Sequence, residues 1–447
     1  ATNDAAEGPV RTSAYRNEAL AVLVVHRTGE APGRPVVITA EIYGGALPEG
    51  AAVAPAAEAG AQAGEDEIAA LVAGNTGFAL NLYRLLAEGE AGNLFLSPYS
   101  ISQALAMAYA GARGDTAAQM AETLGFTLEG ERLHAAMAAL DAVLASREDD
   151  VDPDEATGFR LQVANALWGQ EGYPFLEEFL ALLERHYGAG LERVDFQNDA
   201  EAARQAINAW VAEQTEGRIE DLLAEGDVDA LTRLVLTNAI YFQASWLVPF
   251  REEATADGTF HLADGTEVQV PMMHQQDRLR VRQEEDYTAV ELPYVGGQMR
   301  MTVLMPSAGT LEAFEAGLDA EGLEEILDGL AFGEVRLAMP KFRVESEFKL
   351  ADALRALGIE DAFVPEVADF SGMDGTRDLL IDAVAHKAFV EVNEEGTEAA
   401  ASTAVVMRVT SAPTEVLDVT LDHPFLFLIR DGGTGAVLFA GRLMDPQ

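Results

Sequence analysis

The chain contains no cysteine. That removes disulfides, thiol nucleophiles and cysteine-held metals, yet says little about compartment, because exported proteins can do without disulfides. Lysine is nearly absent too, occurring at Lys341, Lys349 and Lys387 alone, so arginine supplies most of the positive charge. Against 29 basic residues stand 75 acidic ones, a formal charge of −46. The carboxylates are spread along the whole chain rather than gathered in a tail, which reads as a solvated acidic surface rather than a dock for a cationic partner. Such a surface suits a high-salt organism, where screening suppresses the self-repulsion of a compact anion. It gives no footing for nucleic acid. No apolar run is long enough to span a bilayer, so no membrane partner is expected. A hydrophobic content of 49% over 447 residues allows a large globular core.

Signs of catalysis are missing as well. The seven histidines, His26, His134, His186, His261, His274, His386 and His423, show no H-x-x-x-H spacing and no adjacent nucleophile motif. No G-x-S-x-G or phosphate loop is present. The cluster Gly432-Gly433-Thr434-Gly435 lies between the apolar runs Phe425 to Ile429 and Ala436 to Phe439, and reads as a hairpin turn. The chain is therefore not expected to be an enzyme, nor to hold a metal or another cofactor. It starts at Ala1 with no charged-then-apolar leader, so any secretion signal is expected to have been removed or never present.

What is there divides in two. Residues 1–64 read as an extension, partly disordered, with two candidate strands at Leu20 to Val25 and Val36 to Thr39 and a linker rich in Ala, Gly, Pro and Glu from Gly44 to Gly64. From residue 65 the pattern is that of one large domain, 65–447. Ile68, Leu71, Val72, Phe78, Leu82 and Leu85 recur at helical spacing. A short strand, Asn93 to Leu96, follows, and Ser97-Pro98 opens the next helix, because proline at the first turn loses no intrahelical bond. Later candidate strands, Leu234 to Phe242, Arg300 to Met305 and Val335 to Met339, are far apart without βαβ regularity, which predicts an α+β fold.

The most informative stretch is Glu394-Glu395-Gly396-Thr397-Glu398-Ala399-Ala400-Ala401-Ser402-Thr403-Ala404. Small side chains at successive positions let a segment serve as an exposed loop or slide as a strand between packed neighbours, and Gly396 lets the backbone swing. Alone it would read as a helix or linker. It resembles the proximal hinge of an inhibitory serpin, and Val419-Thr420-Leu421-Asp422-His423-Pro424-Phe425-Leu426-Phe427-Leu428-Ile429 is similar to that family's signature, at the family's distance downstream. The likeness covers about Glu65 to Pro446 and includes Asn93 to Ile101, Asn238 to Phe250, Pro271-Met272-Met273, Met339-Pro340-Lys341-Phe342 and Ala385-His386-Lys387-Ala388. With the acid excess, it implies a prokaryotic serpin from a halophile.

The resemblance implies a serpin fold with three β-sheets, about nine helices and an exposed reactive-centre loop near 394–418. It implies suicide inhibition of a serine protease: the enzyme's serine attacks a loop bond, and the cleaved loop inserts into the main sheet before the acyl-enzyme is hydrolysed. As an inserted strand, Thr397, Ala399, Ala401, Thr403, Val405, Met407 and Val409 would share one face, and every charged residue would fall on the other. Counting from Glu394 as the family does places the reactive bond at Thr410-Ser411. Cleavage beside Met407, Arg408 or Val409 stays open, and counting back from Pro424 would move it nearer Pro413. Val409-Thr410 suits an elastase-like or subtilisin-like protease, whereas Arg408 would suit a trypsin-like one.

Other residues take roles from the same resemblance. Ser97, Ser100, Asn238 and His386 match the shutter that holds the main sheet closed, although each could be an ordinary satisfied core polar. Trp246 and Lys341 match the breach where the loop enters, with Lys341 paired to Glu394. The alternative reading is a non-inhibitory serpin acting as a chaperone or binding protein; such chains carry bulky, charged or proline residues in the hinge, and none occurs between Ala399 and Ala404. The helix from Glu129 to Leu144 lacks a basic face, so no glycosaminoglycan partner is expected. The expected state is a monomer, located outside the cell or at its surface, with the cytoplasm as the alternative.

Overall fold

The computed structural model describes residues 14–17, 20–28, 37–43, 63–148, 160–188, 190–397 and 416–447. The chain divides into two compact units, 1–60 and 61–447. In the first, strands β1 (Ala14–Asn17), β2 (Leu20–Thr28) and β3 (Val37–Tyr43) form an antiparallel meander in that order. The two candidate strands are present, joined by a third that no apolar run had marked.

The second unit opens with α1 (Glu65–Gly89), β4 (Leu94–Leu96), α2 (Pro98–Tyr109), α3 (Gly114–Leu124) and α4 (Glu131–Ala145). There follow β5 (Arg160–Gln170), α5 (Glu177–Tyr187), β6 (Glu192–Val194), α6 (Phe196–Gln214), β7 (Leu234–Ser245), β8 (Ala256–His261), β9 (Glu267–Gln283), β10 (Tyr287–Pro293) and β11 (Met299–Pro306). The rest comprises α7 (Leu311–Gly317), α8 (Ala320–Asp328), β12 (Ala331–Pro340), β13 (Phe342–Lys349), α9 (Ala351–Leu357), α10 (Ser371–Asp374), β14 (Ala383–Val392), β15 (Gly396–Thr397), β16 (Val416–Thr420), β17 (Phe425–Asp431) and β18 (Val437–Leu443).

Local chemistry accounts for several of these boundaries. Helix α1 carries Glu65, Asp66 and Glu67 in its first turn, where the helix dipole favours negative charge. Ser97 caps α2 by accepting the Ser100 amide, with Pro98 in the first turn. The glycine cluster is a hairpin turn: β17 and β18 pair antiparallel from Phe425↔Leu443 to Arg430↔Val437. Both strands are buried along their whole length, and Phe95 of β4 stacks on Phe427 and Phe439 at 5.8 and 5.0 Å between ring centres. Burying one such ring stabilises the core by about 1.5–3 kcal/mol.

Among the described residues the strands of this unit are hydrogen-bonded into two sheets, where the resemblance implied three. One has nine strands, in the order β16-β12-β9-β10-β11-β17-β18-β4 with β8 beside β9. Its unity comes from β9, whose 17 residues pair with β8 and β12 along one stretch and with β10 further on, so two sheets become one hydrogen-bonded surface. The other sheet, in the order β13-β14-β15-β7-β5-β6, carries the candidate site. Among the described residues there are ten α-helices, close to the nine expected.

Candidate functional site

Strand β7 is buried at every position except Gln243, which is half-buried, as a central strand covered on both faces must be. On one side it pairs antiparallel with β5 from Leu234 to Gln243. On the other it pairs parallel with β14, but only from Val235↔Ala383 to Ile240↔Ala388. Past that point the two strands part, and β15 lies between them: Thr397 opposes both Val392 of β14 and Ala244 of β7, and Gly396 opposes Ser245. The main sheet thus contains a slot, closed at one end and occupied at the other by the first two residues of a new strand.

The closed end is held by a buried polar network. Ser97 Oγ donates to the Leu438 carbonyl at 2.7 Å and accepts the Ser100 amide at 3.2 Å. Ser100 Oγ donates to Asn165 Oδ1 at 2.9 Å, and the Asn238 amide donates to both Ser100 Oγ and Asn165 Oδ1. His386 Nε2 accepts the Ser97 backbone N–H at 3.1 Å, so that nitrogen carries no proton; Nδ1–H donates to Asn238 Oδ1. Burial pulls the His386 pKa down to about 3, which keeps the ring neutral. Ser97, Ser100, Asn238 and His386 are therefore brought together, and the network ties α2 to β7, β14 and β18. Below it, Asp382 accepts the Arg233 amide at 3.0 Å at the foot of the slot, and burial raises its pKa.

The open end is built differently. Trp246 stacks on Tyr294 with ring centres 4.6 Å apart, its backbone N–H donates to the Glu395 carbonyl at 2.8 Å, and its indole N–H donates to the Asn393 carbonyl at 3.0 Å. Glu394 Oε2 pairs with Lys341 Nζ at 2.7 Å, and its Oε1 accepts Thr255 Oγ1–H at 2.7 Å. Partial burial pushes the Glu394 carboxyl up, but the hydrogen bonds from Lys341 and Thr255 outweigh it and hold the pKa low. Thr397 is buried and bonds the Tyr294 hydroxyl at 2.8 Å.

Gly396 has a φ of 158°, a backbone conformation that residues with a side chain rarely adopt, and a Cβ there would also sit 2.1 Å from the Ala244 carbonyl oxygen and 2.7 Å from Ser245 Cα. Only glycine lets the segment approach β7 so closely.

Glu398, Ala399, Ala400, Ala401, Ser402, Thr403 and Ala404 of the hinge lie outside the described residues, as do Met407, Arg408, Val409, Thr410 and Ser411. Four contributors escaped the sequence reading: Asn165, Tyr294, Thr255 and Asn393. Asn165 left a signal, an amide in the middle of the apolar strand Arg160–Gln170, where asparagine is disfavoured. Among the described residues no group of three or more His, Asp or Glu side chains could hold a metal ion.

This arrangement has counterparts. The family model for serpins, serine protease inhibitors, matches residues 73–446. Human leukocyte elastase inhibitor is 43% identical over 387 residues, covering 84% of this chain and 99% of that protein. An uncharacterized serpin-like protein of Thermococcus kodakarensis is also 43% identical, over 83% of this chain and 84% of its own. Among solved structures, uncleaved ovalbumin superposes with a TM-score of 0.74 at 30% identity, over 84% of this chain and all of that one.

Proposed function

The chain belongs to the serpin family, and from that premise we propose that it inhibits a serine protease by suicide trapping, with Thr410-Ser411 as the reactive bond. The protease serine attacks the Thr410 carbonyl, the Ser411 amine leaves, and an acyl-enzyme joins the two proteins. Residues 398 onward then follow Gly396 and Thr397 into the slot, between β14 and β7. Each residue added gains backbone hydrogen bonds on both flanks, worth about 0.5–1.5 kcal/mol apiece. Before cleavage the loop is tethered at both ends, so the less paired sheet persists as a kinetically held state.

The observation that carries this reading is the slot already seeded by Gly396 and Thr397 but stopped by the β7–β14 register. Val409-Thr410 favours a protease with a small aliphatic pocket, elastase-like or subtilisin-like, and the name of the human relative supports that class. In the same reading the inhibitor is a monomer from a prokaryotic halophile and acts outside the cell or at its surface. Sedimentation in high salt tests the monomer, and cell fractionation tests the location. Among the described residues no helix is long and apolar enough to cross a membrane.

The test is to mix the protein with elastase, subtilisin, trypsin and chymotrypsin in high salt and to follow denaturing gels and the mass of the C-terminal peptide. A denaturant-resistant complex with elastase or subtilisin, and a peptide starting at Ser411, are expected. A peptide starting at Val409 moves the bond to Arg408. Clean cleavage by all four enzymes with no complex would replace inhibition with a non-inhibitory role.

A further inference from the structure

The nine-stranded sheet carries a second cluster, on strands other than those that form the slot. Cross-strand register sets Glu291 of β10 opposite Arg280 of β9 and Thr302 of β11, and sets Arg300 of β11 opposite Arg430 of β17. Glu291 is 2% exposed. Its Oε1 accepts from Arg280 Nη1 at 3.1 Å and from Arg300 Nη1 at 2.9 Å, while its Oε2 is bonded by Arg430 and Thr302. Burial pushes the Glu291 carboxyl up, but the three guanidiniums outweigh it and keep the group ionised.

Three cations on one anion leave a surplus of positive charge. In a chain where acids outnumber bases 75 to 29, this inverts the composition. Among the described residues no other carboxylate is shared by three arginines. The surplus faces water: Arg430 is buried, but the Arg280 and Arg300 side chains are 25% and 26% exposed. Arg280 also donates to the Leu327 and Leu330 carbonyls at the end of α8, whereas Arg300 Nε and Nη2 have no hydrogen-bond partner among the described residues.

The turn after β17 is cut back around them. A Cβ on Gly432 would lie 2.6 Å from Arg300 Nε, and one on Gly433 would lie 2.8 Å from Arg147 Nη2. Arg147 is itself neutralised by buried Asp431. The Nε and Nη2 donors that Arg300 leaves open match the geometry of an oxyanion, which guanidiniums bind by charge-assisted hydrogen bonds.

We propose that Arg280 and Arg300, seated on Glu291 and cleared by Gly432, form a binding site for a small oxyanion such as phosphate, sulfate or a carboxylate. The site is separate from the loop slot and does not depend on the inhibitory reading. It is tested by calorimetric titration of the whole protein with sodium phosphate, sodium sulfate and sodium acetate, each balanced with sodium chloride to constant ionic strength. The proteins compared are the wild type, Arg280→Gln/Arg300→Gln, Gly432→Ala and, as a control, Arg185→Gln on α5. Saturable binding by the wild type and Arg185→Gln is expected, weakened at least tenfold in the double variant and in Gly432→Ala. Gly432→Ala keeps every arginine and crowds Arg300 from the turn, so it decides the matter if the double variant fails to fold. Tight binding of phosphate and sulfate over acetate would mark a tetrahedral dianion as the ligand, and the reverse order a carboxylate. Absence of saturable binding in the wild type, or equal binding in Gly432→Ala, would overturn the site.

Discussion

The two ends of the slot are held by opposite kinds of chemistry. At the closed end His386, Asn238, Ser100 and Ser97 are fully buried and bonded to one another or to backbone, so loss of any partner strands another polar group away from water. At the open end the tie between Glu394 and Lys341 is half in solvent, with the lysine side chain 38% exposed and the glutamate 8%. A surface pair contributes little and can be exchanged for water. One end is therefore difficult to open and the other easy, which would give the proposed strand insertion a direction. In that reading the strand zips from Gly396 toward the network of Asn238 and His386, which yields last.

Breaking the closed end should have the largest effect. Asn238→Ala leaves His386 Nδ1–H, Ser100 Oγ and Asn165 Oδ1 each short of a partner. A loss of about 3–5 kcal/mol in denaturant unfolding is expected. With it should come faster spontaneous loss of complex-forming capacity on storage, since the slot would open without cleavage.

Gly396→Ala attacks the seeded end instead. Its Cβ overlaps the Ala244 carbonyl, so β15 must withdraw from between β14 and β7. About 1–3 kcal/mol of local stability should be lost, read as faster amide exchange at Trp246 and Phe250, whose N–H groups bond the Glu395 and Glu394 carbonyls. In the proposed mechanism, the fraction of inhibitor cleaved without trapping the protease should rise. Unchanged exchange at both amides would separate the hinge from the slot.

Acid should weaken the closed end. His386 titrates at about 3 in the folded protein and near 6.5 when unfolded. Between those values the unfolded chain binds the extra proton, so stability is complete above 6.5 and falls as pH drops toward 3. The expected loss at pH 5 is about 2 kcal/mol from this residue. Buried His134, which titrates at about 4, adds a similar loss over a narrower window. Protonating Nε2 sets an N–H against the Ser97 N–H, so slot opening should accelerate in the same range; a flat unfolding profile from pH 7 to pH 5 would contradict both statements. The smallest effect belongs to the open end: a double-mutant cycle on Lys341→Met and Glu394→Gln should give a coupling of about 0.5–1 kcal/mol, shrinking in high salt.

How legible these two ends were depended on how local their chemistry is. Ser97-Pro98 announced a helix start and Gly432 to Gly435 a hairpin, because capping and turn formation are decided within a few residues. The hinge was visible as a run of small side chains, and Ser97, Ser100, Asn238 and His386 were named from family motifs. The partners that complete each end were harder. Asn165 reaches Asn238 and Ser100 across strands far apart in sequence, and Tyr294 meets Thr397 from another sheet. Nothing in a one-dimensional pattern fixes such pairings. The merging of two sheets into one had the same cause, since it depends on where β9 finds neighbours along its length. Gly396 was singled out for conformational freedom, and its contact with Ala244 adds a second reason that excludes a side chain.

The hairpin of β17 and β18 has a bearing on what a cut in the loop leaves behind. Everything after residue 415 is woven into the nine-stranded sheet: β16 runs parallel to β12, and β17 and β18 stand between β11 and β4. A nicked molecule is consequently two chains that share one interior. The C-terminal piece behaves as a subunit rather than as a cleavage product: it should co-purify with the remainder under native conditions and part from it only on denaturation. If supplied separately as a peptide, it should be able to rebuild the same core with the truncated body.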